Sequence, residues 1–395
     1  MATLGVMLAS RLQDIPPTIF SQMSALAVRT QAVNLGQGFP DVDGPPEVIA
    51  RAVAALESGQ NQYAPGIGVP ALRQAVARHQ QRHYGIELDP DSQVVVTTGA
   101  TEGIAAALLG LVNPGDEVVV LEPYYDSYVA MIQMAGGVRR PVTLRAPDFR
   151  LDPDELRAAV TDRTRFLLVN SPHNPTGTVL TREELGAIAA VAIEHDLTVI
   201  TDEVYEHLVY SDASGHHEHV PLATLPGMFE RTLTLSSAGK SYSFTGWKVG
   251  WATGPAELVG AVLAAKQWLT FTSGSPLQPA VAHALDEAPD WPAQLARDLQ
   301  GRRDLLCAGL ADVGLEVRVP EGTYFATTDI SALGWEDGLA FCLALPERAG
   351  VVAIPSQVFH DDVEAGRHLV RWAFCKEPAI IEEGLRRLAA ADLTA

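Results

Sequence analysis

Residues 236–251 read Ser-Ser-Ala-Gly-Lys-Ser-Tyr-Ser-Phe-Thr-Gly-Trp-Lys-Val-Gly-Trp, with Ser236 first and Trp251 last. The run just before them, Thr232-Leu233-Thr234-Leu235, predicts a buried strand. That strand empties into small residues around a single lysine, Lys240. Small side chains let backbone and other groups approach whatever the amine holds. Apolar and aromatic neighbours favour the unprotonated amine, because desolvation disfavours the ammonium. Such an amine is a nucleophile and forms a Schiff base with a carbonyl. A lone lysine after a strand is otherwise a surface residue. The reading of Lys240 therefore depends on what the fold brings to it.

Outward from this strand, residues 94–99, 117–121, 166–170 and 197–202 read as further strands, alternating with helical stretches such as 182–195. Alternation of this kind predicts a largely parallel sheet covered by helices on both faces, with ligands beyond the carboxyl ends of the strands. The unusual residues fall at those ends. Gly99-Ala100-Thr101 turns from strand into helix, where unpaired N–H groups and the dipole make an anion site. Thr101 is equally readable as a plain N-cap. Pro123-Tyr124-Tyr125-Asp126-Ser127-Tyr128 supplies either core aromatics or a flat face for a planar ring. Asn174-Pro175-Thr176-Gly177 follows one strand and Asp202-Glu203-Val204-Tyr205 closes the next. Alone, Asp202 is a helix cap as readily as a functional acid. Arriving with Asn174, Tyr205 and Lys240 at one sheet edge, it reads as functional.

Residues 1–45 form an arm, with a helical pattern at 21–29 and then Asn34-Leu35-Gly36-Gln37-Gly38-Phe39-Pro40. That Gly-x-Gly is either a turn or a close backbone approach to a ligand. Helical patterns at 46–57 and 69–84 flank a loop carrying Tyr63. Further helices are expected at 256–268, 279–286 and 291–313, and strands at 315–319, 324–328 and 368–374. Arg371 lies in the last strand between Val370 and Trp372, so it either pairs with a protein carboxylate or grips a substrate carboxylate with its fork. The division expected is an arm at 1–45 joining the smaller part, a large domain at 46–283 and a small domain at 284–395.

A chain of 395 residues with a formal charge of −20 has no basic footprint for nucleic acid or an anionic membrane. Cys307, Cys342 and Cys375 are far apart and lack metal-ligand spacing, so reduced thiols and no metal are expected. No run is long enough for a membrane span, and residues 1–10 lack the basic start of a signal peptide. The expected compartment is the cytoplasm.

With these residues in view, the chain resembles the class I/II aminotransferases, pyridoxal-phosphate enzymes of fold type I, over essentially its full length. The resemblance is carried by Asn174-Pro175 in an Asn-Pro-x-Gly turn, Asp202 with Tyr205, Ser237-x-x-Lys240 and Arg371, in the family's order. Residues 34–40, 170–177 and 245–251 are similar to kynurenine/glutamine/methionine transaminases and to actinobacterial N-succinyldiaminopimelate aminotransferases. The resemblance implies an α/β fold, a mostly parallel seven-stranded sheet covered by helices plus a smaller α+β domain. It implies pyridoxal 5'-phosphate held covalently by Lys240, which then moves the substrate proton. Asp202 is implied to face the ring nitrogen, Tyr205 and Asn174 the ring's phenolic oxygen, and Tyr125 the ring face. Backbone N–H groups of Ala100 and Thr101, with Ser237 and Lys248, are implied phosphate ligands. Many relatives carry arginine where this chain has Lys248, which keeps the charge and loses the fork.

Tyr63 is implied to reach the phosphate of a neighbouring subunit, which makes the protein a homodimer. Arg371, with Asn174 and the backbone of Gly36, is implied to bind the carboxylate shared by the amino acid and the 2-oxo acid, giving ping-pong kinetics. Phe20, Tyr124, Phe271 and Tyr324 are expected around the substrate side chain. The acceptor is expected to be 2-oxoglutarate, and the donor either of kynurenine/glutamine/methionine/aromatic type or N-succinyldiaminopimelate. No second arginine for a distal carboxylate is evident. Two alternatives use the same cofactor: a cysteine-conjugate carbon–sulfur β-lyase, and a non-catalytic regulator. The acidic charge and the lack of an appended DNA-binding segment speak against the regulator.

Overall fold

The computed structural model describes residues 8–13, 15, 18–212 and 215–395. Its larger sheet is built from β1 (Val94–Thr97), β2 (Glu117–Glu122), β3 (Val138–Thr143), β4 (Thr164–Asn170), β5 (Thr198–Asp202), β6 (Thr232–Ser237) and β7 (Gly250–Thr253). The strand order is β1-β7-β6-β5-β4-β2-β3. Neighbours from β6 through β3 pair parallel, while β7 runs antiparallel to both β1 and β6. Every residue of β1, β2 and β6 is buried. Helices on both faces explain that, and explain why these strands read as continuous rather than alternating.

Two strands of this sheet carry little signal in the sequence. The edge strand β3 reads Val-Arg-Arg-Pro-Val-Thr and is only partly buried; charge and proline at an edge prevent pairing with another chain. The antiparallel β7 is four residues long. The expected helices lie at Ile19–Thr30, Pro46–Glu57, Pro70–Tyr84, Gly99–Leu111, Arg182–Glu194, Ala256–Lys266, Leu277–Glu287 and Trp291–Asp312. Arg182–Glu194 opens on a capping box in which Thr181 and Glu184 satisfy each other's backbone N–H groups. Gly110 lets helix Gly99–Leu111 cross Ala256–Lys266, since a Cβ there would stand 2.4 Å from the Ala261 carbonyl oxygen.

A second, antiparallel sheet contains β8 (Glu316–Arg318), β9 (Phe325–Asp329), β10 (Ile354–Pro355) and β11 (Leu369–Ala373), in the order β8-β9-β11-β10. Met23, Leu26 and Leu35 from the N-terminal segment share one core with Leu310, Phe341, Val370 and Trp372. Val33–Asn34 pairs parallel with Val351–Val352. The N-terminal segment is thus part of the C-terminal core, and its glycine turn lies between the two sheets. The site forms there, where β4, β5 and β6 end.

Candidate active site

A cavity of about 320 Å³ opens at those strand ends. Its walls include Ala100, Thr101, Tyr125, Asn174, Asp202, Tyr205, Ser237, Lys240, Lys248 and Arg371, together with Phe20. Residues separated by up to most of the chain's length therefore meet in one space.

Lys240 lies in the short helix Ala238–Ser241 that follows β6. Its Nζ donates to Tyr324 Oη at 2.8 Å, and Tyr324 donates to the Gly38 carbonyl. The amine also stands 5.7 Å from the Tyr205 ring centroid. Burial lowers the Lys240 pKa to about 8, partly opposed by Cys375 and Asp202. Burial likewise pushes the Tyr205 phenol up.

Asp202 ends β5, in register with Asn170 of β4. Asn170 Nδ2 donates to the Asp202 carbonyl at 2.8 Å, and its Oδ1 accepts from the Asn174 N–H at 2.8 Å. One amide thereby ties the Asn174 turn to the strand carrying the acid. Asp202 Oδ2 accepts from Tyr128 Oη at 2.7 Å and Oδ1 from the Val204 N–H at 3.3 Å. Burial raises the Asp202 pKa against those two hydrogen bonds. No cation forms an ion pair with it among the described residues. A buried carboxylate short of a positive partner is costly unless a ligand supplies one.

At the other end of the cavity, helix Gly99–Leu111 points its N-terminus inward. Gly99 has φ +70°, and a Cβ on it would stand 3.1 Å from Lys248 Nζ. Lys248 Nζ lies 3.5 Å from Thr101 Oγ1, and Ser237 completes this wall. Free N–H groups, two hydroxyls and an ammonium around a glycine cradle make an anion pocket. Tyr125 lines the space between the two ends, edge-on to Tyr128 at 5.6 Å. A planar ring with an anionic arm, a carbonyl near Lys240 and a basic nitrogen facing Asp202 fits these walls; pyridoxal phosphate is such a group.

Arg371 sits mid-strand in β11, 2% exposed. It donates to Asn174 Oδ1 at 3.1 Å and to the Gly36 carbonyl at 3.2 Å. Its Nε is buried without a partner, and no protein carboxylate pairs with it among the described residues. Of the two sequence readings, the internal ion pair is thereby removed. Phe325 and Phe20 lie 3.9 and 5.0 Å from the guanidinium, and burial lowers its pKa to about 10.

Four expected positions stand elsewhere. Tyr124 is not a pocket residue: it is 4% exposed, and its Oη donates to Asp361 at 2.6 Å while its N–H bonds the Phe359 carbonyl. Tyr324 is fully buried behind the amine and orients Lys240 instead of facing a substrate side chain. Phe271, at φ 65°, and Tyr63, 84% exposed, meet edge-on at 5.4 Å outside this cavity. Asn170, Gln37 and Phe325 line the cavity although the sequence assigns them no role, and Tyr128 of the tyrosine cluster joins them. Tyr125 is the extended residue that precedes helix Asp126–Met134 and Tyr128 lies in its first turn, so both rings start from the same helix end.

The chain is similar to a protein of Mycobacterium tuberculosis named probable N-succinyldiaminopimelate aminotransferase, 52% identical over 97% of this chain and 98% of that one. The solved structure of an N-succinyldiaminopimelate aminotransferase from that organism superposes with a TM-score of 0.94 at 53% identity, covering 97% of this chain and 100% of the other. A methionine aminotransferase of Escherichia coli is 40% identical over 96% of this chain and 97% of its own length. A kynurenine–oxoglutarate transaminase of Mus musculus is 36% identical over 95% of this chain and 88% of its own. A family model for aminotransferase class I and II matches residues 30–388, and the chain belongs to that family of pyridoxal-phosphate enzymes.

Proposed function

We propose that Lys240, Asp202 and Arg371 divide the work of amino transfer between them, and that the donor is a long-armed L-amino acid of the N-succinyldiaminopimelate type, with 2-oxoglutarate as acceptor. The observation that carries this reading is a buried arginine without a protein carboxylate, lining the same cavity as a lysine of lowered pKa. Pyridoxal phosphate, when bound, supplies an aldehyde and a ring that takes up the electrons freed at the substrate Cα. With a pKa of about 8, Lys240 has a neutral fraction near neutral pH and serves as the base that moves the Cα proton. Tyr324 holds the amine in place through its 2.8 Å hydrogen bond. Asp202, aimed by Tyr128 and Val204, would keep a negative charge against the ring nitrogen. Thr101, Ser237, Lys248 and the Ala100 N–H would hold the phosphate, Tyr125 would cover the ring, and Tyr205 with Asn174 would face the ring oxygen. Arg371 and Asn174 grip the α-carboxylate; Phe20 and Phe325 exclude water there and strengthen the grip. Because amino acid and oxo acid share that carboxylate, both half-reactions use one site in turn.

The 52% identity to the mycobacterial relative supports the succinylated donor. A second reading, a methionine, glutamine or kynurenine donor, is favoured by the wall composition. Among the described residues its cations are Lys240, Lys248 and Arg371, all engaged by the roles above, which leaves none of the wall's cations for a distal carboxylate. Tyr63, Trp268 (83% exposed), Leu269 and Phe271 form an exposed apolar group beside the site, which supports a homodimer with Tyr63 serving the partner's cavity. No helix of the described residues is long and apolar enough to cross a membrane, and the three buried free thiols fit the cytoplasm.

The deciding experiment is a donor panel with 2-oxoglutarate, methionine, glutamine, kynurenine and N-succinyldiaminopimelate among its components. The expected result is the highest kcat/KM for the succinylated donor. A higher value for methionine or kynurenine selects the second reading. Pyruvate and ammonia from a cysteine conjugate, without any oxo acid, would select β-elimination instead.

A further inference from the structure

Away from this cavity, three imidazoles face one another. His79 and His83 stand one turn apart on helix Pro70–Tyr84, and His207 comes from the turn after β5. Their ring centroids form a near-equilateral triangle with sides of 4.6, 5.0 and 4.9 Å. One ring nitrogen from each lies within 4.8 Å of the others. His79 and His207 share a single hydrogen bond between their Nε2 atoms at 2.7 Å, while His79 Nδ1 is buried with no partner. Among the described residues neither Nε2 has a partner other than the facing imidazole, so a cation between the two rings would break no other hydrogen bond.

The surroundings favour a cation as that partner. Glu206 is buried beside the triangle, accepting from Tyr84 Oη at 2.7 Å and from Ser236 Oγ. No arginine or lysine pairs with it among the described residues. His79 is buried, His207 half-buried and His83 exposed, so solvent reaches the triangle at His83. His83 and His207 line a cavity of about 730 Å³ together with Tyr84, Glu206 and His219. Entry and a water ligand are both available.

We propose that His79, His83 and His207 bind a divalent transition-metal ion, zinc by the donor set, with water from the cavity in the fourth position. Three imidazoles and one open position suit zinc. Tetrahedral ligation at 2.0–2.1 Å sets neighbouring nitrogens about 3.3 Å apart. His79 and His207 need therefore part by roughly half an ångström from their 2.7 Å contact while His83, whose nitrogen lies within 4.8 Å of theirs, turns in toward the ion, which replaces the shared proton. The bound ion joins helix Pro70–Tyr84 to the turn that follows Asp202 and carries Tyr205. It is a staple on the back of the segment that shapes the cofactor site, and its existence does not depend on the substrate assigned there.

The test uses the holoenzyme dialysed against a chelator and titrated with zinc chloride, then with cobalt chloride. One saturable equivalent per chain is expected, with cobalt giving the visible absorption of a tetrahedral nitrogen site. Zinc should raise the unfolding temperature of the wild type. His83→Ala, at an exposed position, and His207→Gln should each weaken zinc binding by about 100-fold or more, since loss of an outer partner alone costs 10–100-fold. Absence of saturable zinc binding in the wild type, or wild-type binding in both variants, overturns the proposal.

Discussion

Lys240 is expected to destabilise the cofactor-free fold at neutral pH, and Lys240→Met isolates that cost. Burial takes the amine from 10.5 to about 8, which corresponds to roughly 3 kcal/mol of penalty on the ammonium. Methionine keeps the bulk and removes the charge, but loses the 2.8 Å hydrogen bond to Tyr324, worth about 1 kcal/mol. Tyr324 retains its bond to Gly38 and is not orphaned. At pH 7 the variant should therefore be more stable by about 2 kcal/mol. The sign then changes with pH. Between about 8 and 10.5 the unfolded chain holds a proton that the native lysine has released, so wild-type stability rises with pH. The advantage of the variant should shrink across that window and reverse above it, leaving the lost hydrogen bond. Urea unfolding of both cofactor-free proteins at pH 7, 9 and 11 measures the difference. A variant less stable at pH 7, or a gap that does not move with pH, would refute the burial account of the amine.

Arg371→Lys keeps the charge and loses the fork that bonds Asn174 and Gly36, and kcat/KM for α-carboxylate substrates should fall by about 100-fold. Equal kinetics in wild type and variant would remove Arg371 from the substrate site. Tyr128→Phe strips one donor from the buried Asp202 carboxylate, and urea unfolding of the cofactor-free protein should show a loss of about 2 kcal/mol. Cofactor affinity should drop by about 10-fold or more in the same variant, and an unchanged dissociation constant would sever Asp202 from the ring. Trp268→Asp places a charge in the exposed apolar group and should shift the sedimentation coefficient to that of a monomer with little activity. A fully active monomer would defeat the shared-site proposal.

The strands before Asn170, Asp202 and Lys240 were legible because a fully buried parallel strand is a run of apolar residues that ends in a turn, and both signals are local. The edge strand Val138–Thr143 was not, since Arg139, Arg140 and Pro141 erase the apolar run that marks its neighbours. The tyrosine cluster shows the same limit at one residue's resolution. Tyr124, Tyr125 and Tyr128 are alike in sequence, yet Tyr124 is tied to Asp361 and Tyr128 to Asp202. Which way each ring points depends on whether it leaves from the strand end or from the next helix.

The order of chemistry along the chain, one amide turn at Asn174, one acid at Asp202, one amine at Lys240 and one arginine at Arg371, was determined by sequence alone, because each needs a particular residue type at a strand end or mid-strand. Tertiary structure alone decided that Arg371 has no carboxylate partner among the described residues and that Tyr324 bonds the amine. It also decided that His79 meets His207 across 128 positions. Such facts rest on long-range packing, which sets side-chain direction and desolvation together, and neither leaves a periodic trace in the chain.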